Sequence, residues 1–226
     1  MAWTLSSLEL QLAAELDQSA SAPTEGGADW NVRLNLLNRS QLDWAESYDW
    51  SVLKKVHNGR ISTSTGNASY ALPADFRKID GPPRITHDGT NTKEFSIVDV
   101  STNSQYLNTD KYVNLLGNDR DGRVMYINAV TLASGASIQF TYFCTPASLS
   151  TGTHLTACPD PNYLVQRSLY YWYKAREDNR FPEAKVEADR VLARMIENEN
   201  TPGRAEMDNR VPTWNETRYK FRIGRD

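Results

Sequence analysis

The sequence predicts an α+β fold: a helical bundle formed by the N- and C-terminal helices, with an inserted small antiparallel β domain and an extended C-terminal arm. Three observations predict this fold: helical periodicity at both chain ends, short strand-like segments between them, and a Gly/Pro-broken basic-aromatic tail. Because the two helical ends have to meet to bury their apolar faces, we interpret the β region as an insertion. We therefore divide the chain into N-terminal helices (residues 1–50), a β domain (51–150), a helical hairpin (151–200) and an arm (201–226).

The N-terminal segment predicts two helices. Ser6 and Glu9 have the spacing of a capping box, and a leucine stripe follows at helical intervals, which predicts a helix over residues 4–17. The small, polar, Gly- and Pro-containing residues 19–29 predict a loop. Apolar residues then fall close to one face of a second helix, which is predicted to end at about Tyr48.

From Val52 onward the periodicity becomes that of strands. Residues 57–59 read His-Asn-Gly and predict the turn of a β-hairpin, because Asn and Gly both tolerate positive φ. Five further strands are predicted, and together they would form a small antiparallel sheet or sandwich. Their ranges are residues 69–72, 95–100, 112–116, 123–127 and 137–143.

The C-terminal part predicts an αα-hairpin followed by an arm. Asp160 and Pro161 have the residue types of an N-cap and a first helical position, and two apolar stripes end near Asn200. After the break at residues 201–203, the apolar anchors of the tail favour an arm docked on another protein over disorder or nucleic-acid binding. The predicted docking residues are Arg210, Trp214, Arg218, Tyr219, Lys220, Phe221, Arg222 and Arg225.

The composition excludes several classes of protein. A formal net charge of -3 argues against a protein that grips nucleic acid through many phosphates. The chain start has no positively charged leader, and no segment approaches the ~20 apolar residues of a membrane span, so no membrane partner is expected. Cys144 and Cys158 are too few for a secreted disulfide framework, and both are expected to be reduced thiols.

Signals for catalysis are weak throughout the sequence. It contains no P-loop, no nucleotide-binding glycine fingerprint, no nucleophile elbow and no zincin pair. The histidines, His57, His87 and His154, are expected in surface turns and loops. His154, Cys158 and Asp160 match no zinc motif and lack a fourth ligand. We therefore expect no catalytic residue, no metal and no cofactor.

Two segments resemble a known family. Residues 70–76 read Tyr-Ala-Leu-Pro-Ala-Asp-Phe and resemble the Tyr-x-Leu-Pro-x-Asp-Phe segment of head-to-tail adaptor (head completion or connector) proteins of tailed bacteriophages. Residues 161–200, with their Leu-Tyr-Tyr-Trp-Tyr run, resemble the helical hairpin of the same proteins. In physical terms, the leucine ends a strand, the proline stops it, and Asp75 can cap the turn that buries Phe76.

The resemblance implies a non-enzymatic structural subunit of the phage neck. It implies a ring, usually of twelve copies, that lies beneath the portal and extends the DNA channel toward the tail. The implied partners are the portal protein, gripped by the arm, tail or neck proteins, other copies of the chain, and passing double-stranded DNA bound without sequence specificity. The implied location is the virion, after assembly in the host cytoplasm. Residues that face the channel are expected to be acidic or neutral, with Glu15, Asp17, Asp43 and Glu46 as candidates.

Two other functions compete with this one. Asp43, Glu46 and Asp49 cluster at the end of the second helix, and paired carboxylates can cleave glycosidic bonds. The alternative is therefore a carbohydrate-active or peptidoglycan-degrading virion protein, although such spacings more often mark a solvated helix face. A nuclease or packaging-motor component would need a metal-binding carboxylate set or a basic face, and the sequence has neither.

Overall fold

The computed structural model describes residues 3–61, 68–86, 92–98, 112–118, 122–128 and 136–200. Helices at both ends of the described chain and short, mainly antiparallel strands between them confirm the predicted α+β class. The chain separates into two compact units. One, the helical unit, comprises Met1–Ser40 and Cys158–Asp226, and the other, the β unit, comprises Gln41–Ala157.

The described residues form four α-helices. They are α1 (Leu5–Asp17), α2 (Ala28–Ser47), α3 (Pro161–Ala175) and α4 (Phe181–Asn200). Helix α1 begins after Thr4, whose side-chain oxygen accepts a hydrogen bond from the Ser7 amide. The predicted capping box was wrong because the N-cap is Thr4 rather than Ser6, which places Glu9 beyond reach of the cap.

Helices from both ends of the chain build the core of the helical unit. The leucine stripe of α1 is buried at Leu5, Leu8 and Leu12, and α1 packs against α3. Helix α3 in turn packs along α4, as predicted for the αα-hairpin. The Asp160 carboxylate caps α3 by accepting from the Asn162 amide at 3.0 Å, with Pro161 in the first turn. Periodicity and capping chemistry therefore predicted this unit well.

The β unit follows a 3₁₀ turn at Ser51–Leu53 and contains nine short strands in the described residues. They are β1 (Lys54–Arg60), β2 (Ala68–Ala71), β3 (Phe76–Ile79), β4 (Arg84–Thr86), β5 (Thr92–Glu94), β6 (Ser96–Ile97), β7 (Tyr112–Asn118), β8 (Gly122–Asn128) and β9 (Ser137–Cys144).

These strands form two sheets. In the first sheet β9 is central: it pairs with β1 along one edge and with β3 and β4 along the other, and β5 extends the sheet from β4. The second sheet has the order β2-β8-β7-β6. All these pairs are antiparallel except β6 with β7, which is a short parallel pair. Strands β3, β4 and β5 were not predicted from the sequence.

The hairpin predicted at residues 57–59 was wrong. These residues lie within β1, where Asn58 pairs with Gln139 and Gly59 with Ile138 of β9. Gly59 allows the Tyr70 side chain to lie close to the backbone of β1, because a Cβ at position 59 would lie 1.8 Å from the hydroxyl oxygen of Tyr70. That hydroxyl is 2.6 Å from Nε2 of His57, so His57 is a half-buried strand residue and not a surface-turn residue. His87 lies outside the described residues.

A carboxylate is buried in the helical unit. Glu9 is 0% exposed, and neither of its carboxylate oxygens has a hydrogen-bond partner within the described part of the chain. Burial raises the pKa of Glu9 to about 7, although the positive charge of Arg33 acts to lower it. Arg33 is also buried, and it forms an ion pair with Asp17 at the end of α1. The charged form of Glu9 therefore opposes folding.

We expect Glu9 to make the stability of the chain depend on pH. Its folded-state pKa lies above the ordinary value of 4.5, so the folded state binds more protons between pH 4.5 and about 7. This contribution to the free energy of unfolding is full below 4.5 and is lost as the pH rises through about 7. At ~1.4 kcal/mol per pKa unit, the difference between 4.5 and about 7 corresponds to a loss on the order of 3–4 kcal/mol.

The test is chemical denaturation of the wild type and of Glu9→Gln at a series of pH values. Glu9→Gln should flatten the profile in this window, whereas Glu15→Gln, at an exposed position of the same helix, should leave it unchanged. Identical profiles for Glu9→Gln and the wild type would contradict the assignment.

Candidate functional site

The predicted docking arm, including all eight residues from Arg210 to Arg225, lies outside the described residues. Its conformation and its role stay predictions. The predicted sites that can be placed are the acidic residues near the end of α2, the possible metal ligands around Cys158, and the segment 70–76.

None of the acidic residues at the end of α2 is buried. The Asp49 carboxylate is exposed and lies 2.6 Å from Nζ of Lys78 and 3.5 Å from Nη2 of Arg77. Glu46 is exposed, and Asp43 is half-buried. Asp49 thus links the end of α2 to Arg77 and Lys78 of β3 through ion pairs at the surface.

The possible metal ligands each have a local structural role. Nδ1 of His154 lies 3.2 Å from the Ser150 amide, which donates to it, and the Asp160 carboxylate caps α3. The Cys158 thiol donates to the backbone oxygen of Asp160 at 3.3 Å, and burial raises the pKa of this thiol to about 12. Within the described ranges, no group of three or more His, Cys, Asp or Glu side chains is arranged to hold a metal.

None of the helices in the described part of the chain combines the length and the apolar character that a membrane crossing requires.

The β unit contains an open cleft of about 1050 Å³ beside the segment 70–76. Residues 71–74 and Phe76 form one wall, and side chains from α2 and β8 complete it. The remaining lining residues are Leu42, Ala45, Glu46, Arg77, Lys78, Arg123, Val124 and Thr145. Sequence reasoning singled out segment 70–76 but missed the cleft, because the lining comes from four separate parts of the chain.

The wall of the cleft follows from the Leu-Pro sequence. Leu72 extends β2 by donating its amide hydrogen bond to the Arg123 carbonyl at 3.1 Å. Pro73 has no amide hydrogen and ends the pairing, and its carbonyl accepts from the Phe76 amide at 2.9 Å, which closes a turn. Phe76 then begins β3 and is only 7% exposed. The segment is therefore a tight, well-bonded connection between the two sheets.

Asp75 fixes this connection to the first sheet. Its carboxylate accepts from the Tyr142 hydroxyl at 2.9 Å and from Nζ of Lys55 at 2.7 Å. Its backbone carbonyl accepts from the Thr145 amide at 2.7 Å. The side chain of Asp75 thus bonds across the sheet to β1 and β9, and its predicted role as a cap of the turn stays a prediction.

The pKa values at Asp75 reflect these contacts. Burial acts to raise the pKa of Asp75, but the hydrogen bonds from Lys55 and Tyr142 outweigh it and hold the pKa below its ordinary value. Burial and the hydrogen bond to Asp75 raise the pKa of Tyr142 to about 12. The ionised carboxylate and the protonated phenol are thus the stable pair at neutral pH.

The cleft combines an apolar wall with a positive rim. Its lining includes three cations, Arg77, Lys78 and Arg123, and one carboxylate, Glu46. Arg123 donates to the Arg77 carbonyl at 2.5 Å, and its guanidinium lies 6.0 Å from the centre of the Phe76 ring. The lining contains no histidine and no cysteine.

We expect Asp75 to support the fold at neutral pH and less in acid. Because its folded-state pKa is lowered, its contribution is present above the ordinary value of 3.8 and is lost as the pH falls through the folded-state value. Asp75→Asn should lower the free energy of unfolding at pH 7 by about 1–3 kcal/mol, measured by urea denaturation. Asp80→Asn is the matched control, since Asp80 pairs with Lys54 on the same sheet but does not bond to Tyr142. A loss as large in the control would show that Asp75 has no special role.

Comparison with known proteins adds one finding. The family model described as SU10 adaptor protein matches residues 3–212, which include the helices from both ends of the chain, the β unit and the segment 70–76. No curated protein matches the chain. The family match confirms the resemblance to phage head-to-tail adaptors.

Proposed function

Because the chain belongs to the SU10 adaptor protein family, we propose that it is a structural head-to-tail adaptor of a tailed-phage virion. In this proposal, copies form a ring, with twelve as the expected number, beneath the portal protein. The ring extends the DNA channel and offers a docking surface to the next neck or tail component. The observation that carries the proposal is the family match over residues 3–212. The protein acts by binding and not by catalysis.

The helical unit is suited to contacts with other copies and with the portal. Its core is built by α1, α3 and α4, and in this proposal its outer faces serve assembly. Residues 201–226 follow directly from the end of α4 and supply the proposed portal-gripping arm. Ordering such an arm costs conformational entropy, so single copies would bind weakly and a closed ring of copies tightly.

The cleft of the β unit is the proposed docking site for the component on the tail side. Its lining has three cations, of which Arg77 and Lys78 pair with Asp49, against one carboxylate, and the hydrogen bonds of Asp75 fix its wall to the first sheet. Charge complementarity therefore favours an extended, acidic segment of a neck or tail protein, with apolar side chains against Leu72 and Pro73.

The DNA channel needs a surface that does not retain DNA. The net charge of -3 suits a ring through which duplex DNA passes without sequence-specific binding. Of the four candidate channel residues, Glu15 and Glu46 are exposed, Asp43 is half-buried, and Asp17 forms an ion pair with Arg33. Because Glu46 lines the proposed docking cleft, Glu15 is the stronger candidate.

We expect a truncation that ends at Gly203 to fold normally and to fail to join portal rings. Melting curves and co-sedimentation with purified portal protein measure the two properties. Trp214→Ala in the full chain should weaken the binding without abolishing it, because one anchor of several is removed. Normal assembly of the truncated protein would show that the arm is not the portal anchor.

We expect Lys78→Glu to weaken binding of the tail-side component on the order of tenfold, because it reverses one charge at the rim of the cleft. Lys54→Glu is the matched control: Lys54 is an exposed, ion-paired lysine of the same unit outside the cleft lining. The measurement is binding of the tail-side component to portal rings that carry each adaptor variant. Binding should be weaker with Lys78→Glu than with Lys54→Glu. Equal binding would contradict the docking role of the cleft.

A further inference from the structure

The helical unit buries one guanidinium that interacts with two carboxylates of α1. Glu9 of α1 is 0% exposed and Arg33 of α2 is 4% exposed, and they are the two charged side chains that are buried in the described part of the chain. The side chain of Asp17, at the end of α1, is 49% exposed. Arg33 pairs with Asp17 and also acts electrostatically on Glu9. The guanidinium therefore has an inner and an outer carboxylate as alternative partners.

The structure shows the guanidinium on the outer carboxylate. Nη2 of Arg33 donates to Asp17, whereas Nε and Nη1 of the same guanidinium have no hydrogen-bond partner among the described residues. The two carboxylate oxygens of Glu9 are equally without a hydrogen-bond partner there. Burying an ionised carboxylate without hydrogen bonds costs much more than burying a neutral one. This arrangement is therefore the one that suits a protonated Glu9.

A second arrangement is available to the same groups. Glu9, Ala13 and Asp17 follow one another at four-residue intervals, which places their side chains in a row along α1. The helical rise separates the Cα atoms of Glu9 and Asp17 by about 12 Å. Between them, Ala13 is buried and carries only a methyl group. Rotation about the long stem of Arg33 can move the guanidinium along this row, and the Glu9 side chain spans part of the distance.

The other charged groups around Glu9 are not buried with it. Burial and the charge of Arg33 are the influences that set the pKa of Glu9. Helix α3 packs on α1, and its half-buried cation, Arg167, is stacked on tyrosine rings. Glu15 on α1 and Asp29, one turn before Arg33 on α2, are exposed, and the charged residues of α4 are exposed or half-buried. Arg33 is thus the cation placed to respond when Glu9 ionises.

We propose that Arg33 is a proton-controlled switch that holds Asp17 while Glu9 is protonated and transfers to Glu9 when Glu9 ionises. In the transfer, Glu9 releases one proton to solvent, and the ion pair of Arg33 moves from the outer to the inner carboxylate. Asp17 stays ionised and becomes hydrated, because half of its side chain is already exposed. The next residue, Gln18, has a left-handed φ of 53° and begins the connection to α2. The switch therefore anchors the end of α1 in one state and releases it in the other.

The pH range of the switch follows from the burial of Glu9. Burial raises the pKa of Glu9 to about 7, above the ordinary value of 4.5. The pair of Arg33 with Asp17 is therefore present below about pH 7 and is lost as the pH rises through this value. Ionisation of Glu9 would lower the stability of the chain even if Arg33 did not move. The position of Arg33 is therefore what the test has to measure.

NMR of the full chain from about pH 5 to about pH 8.5 follows the carboxyl carbons of Glu9 and Asp17 and the Nε atom of Arg33. In the wild type, the Asp17 and Arg33 signals should shift with the midpoint of Glu9. In Glu9→Gln they should stay constant, whereas Glu15→Gln, at an exposed position of α1, should behave as the wild type. In Asp17→Asn, Glu9 is the remaining carboxylate for Arg33, so the midpoint of Glu9 should fall by about 1–3 units.

Hydrogen exchange measured by mass spectrometry gives a second readout. Backbone amides at the end of α1 should exchange faster in the wild type than in Glu9→Gln above about pH 7, after correction for the intrinsic effect of pH. A difference confined to this end distinguishes its release from a change in global stability, which would affect α3 equally. Melting curves show whether each variant is folded.

Three outcomes would overturn the proposal. If Glu9 stays either ionised or protonated over the whole pH range, no switch operates there. If Glu9 titrates near pH 7 while the Asp17 and Arg33 signals stay constant, water and not Arg33 stabilises the ionised carboxylate. If the midpoint of Glu9 is unchanged in Asp17→Asn, the guanidinium cannot reach the inner carboxylate. Should Asp17→Asn fail to fold, the wild type and Glu9→Gln still decide between a switch and the first two outcomes.

Discussion

Helix α1 buries its leucine stripe in the helical unit, yet the helix against which it packs begins only at Pro161. Burying each leucine contributes about 1.5–3 kcal/mol, so separating α1 from α3 would expose several such side chains at once. The cost of closing a long loop grows only slowly with its length, and the intervening residues can therefore be many. This constraint explains why the β unit is an insertion in the chain and not an appended domain.

Within the β unit, β9 likewise joins segments that are far apart in the sequence. It is the last strand in sequence, but it pairs with β1, β3 and β4, so the first sheet cannot be completed until Cys144 is in place. Pairings across such separations make folding slower than in a protein with mainly local contacts. The Asp75 carboxylate adds a polar link to the same strand through Tyr142, so the wall of the cleft and the centre of the sheet depend on each other.

The sequence predicted the elements that local chemistry decides. Leucine periodicity located α1, and the Asp160-Pro161 pair located the start of α3, because caps and helical stripes act within a few residues. The Asn-Gly pair led to the wrong prediction of a hairpin turn, because pairing with β9 overrides the local turn preference of Gly59. Strands β3, β4 and β5 were missed because they have only four, three and three residues, too few to show an alternating pattern. The boundaries at residues 50, 150 and 200 and the arm stay predictions.

The position of Asn58 and Gly59 inside β1 has a consequence for the chemical ageing of the protein. An Asn-Gly pair in a flexible turn deamidates readily, because the glycine nitrogen can attack the asparagine side-chain carbonyl and close a succinimide ring. Extended backbone directs that nitrogen away from the carbonyl, and pairing of Asn58 with Gln139 and of Gly59 with Ile138 holds the backbone extended. The same strand that leaves no room for a side chain at position 59 thus protects the neighbouring asparagine for as long as the sheet stays folded.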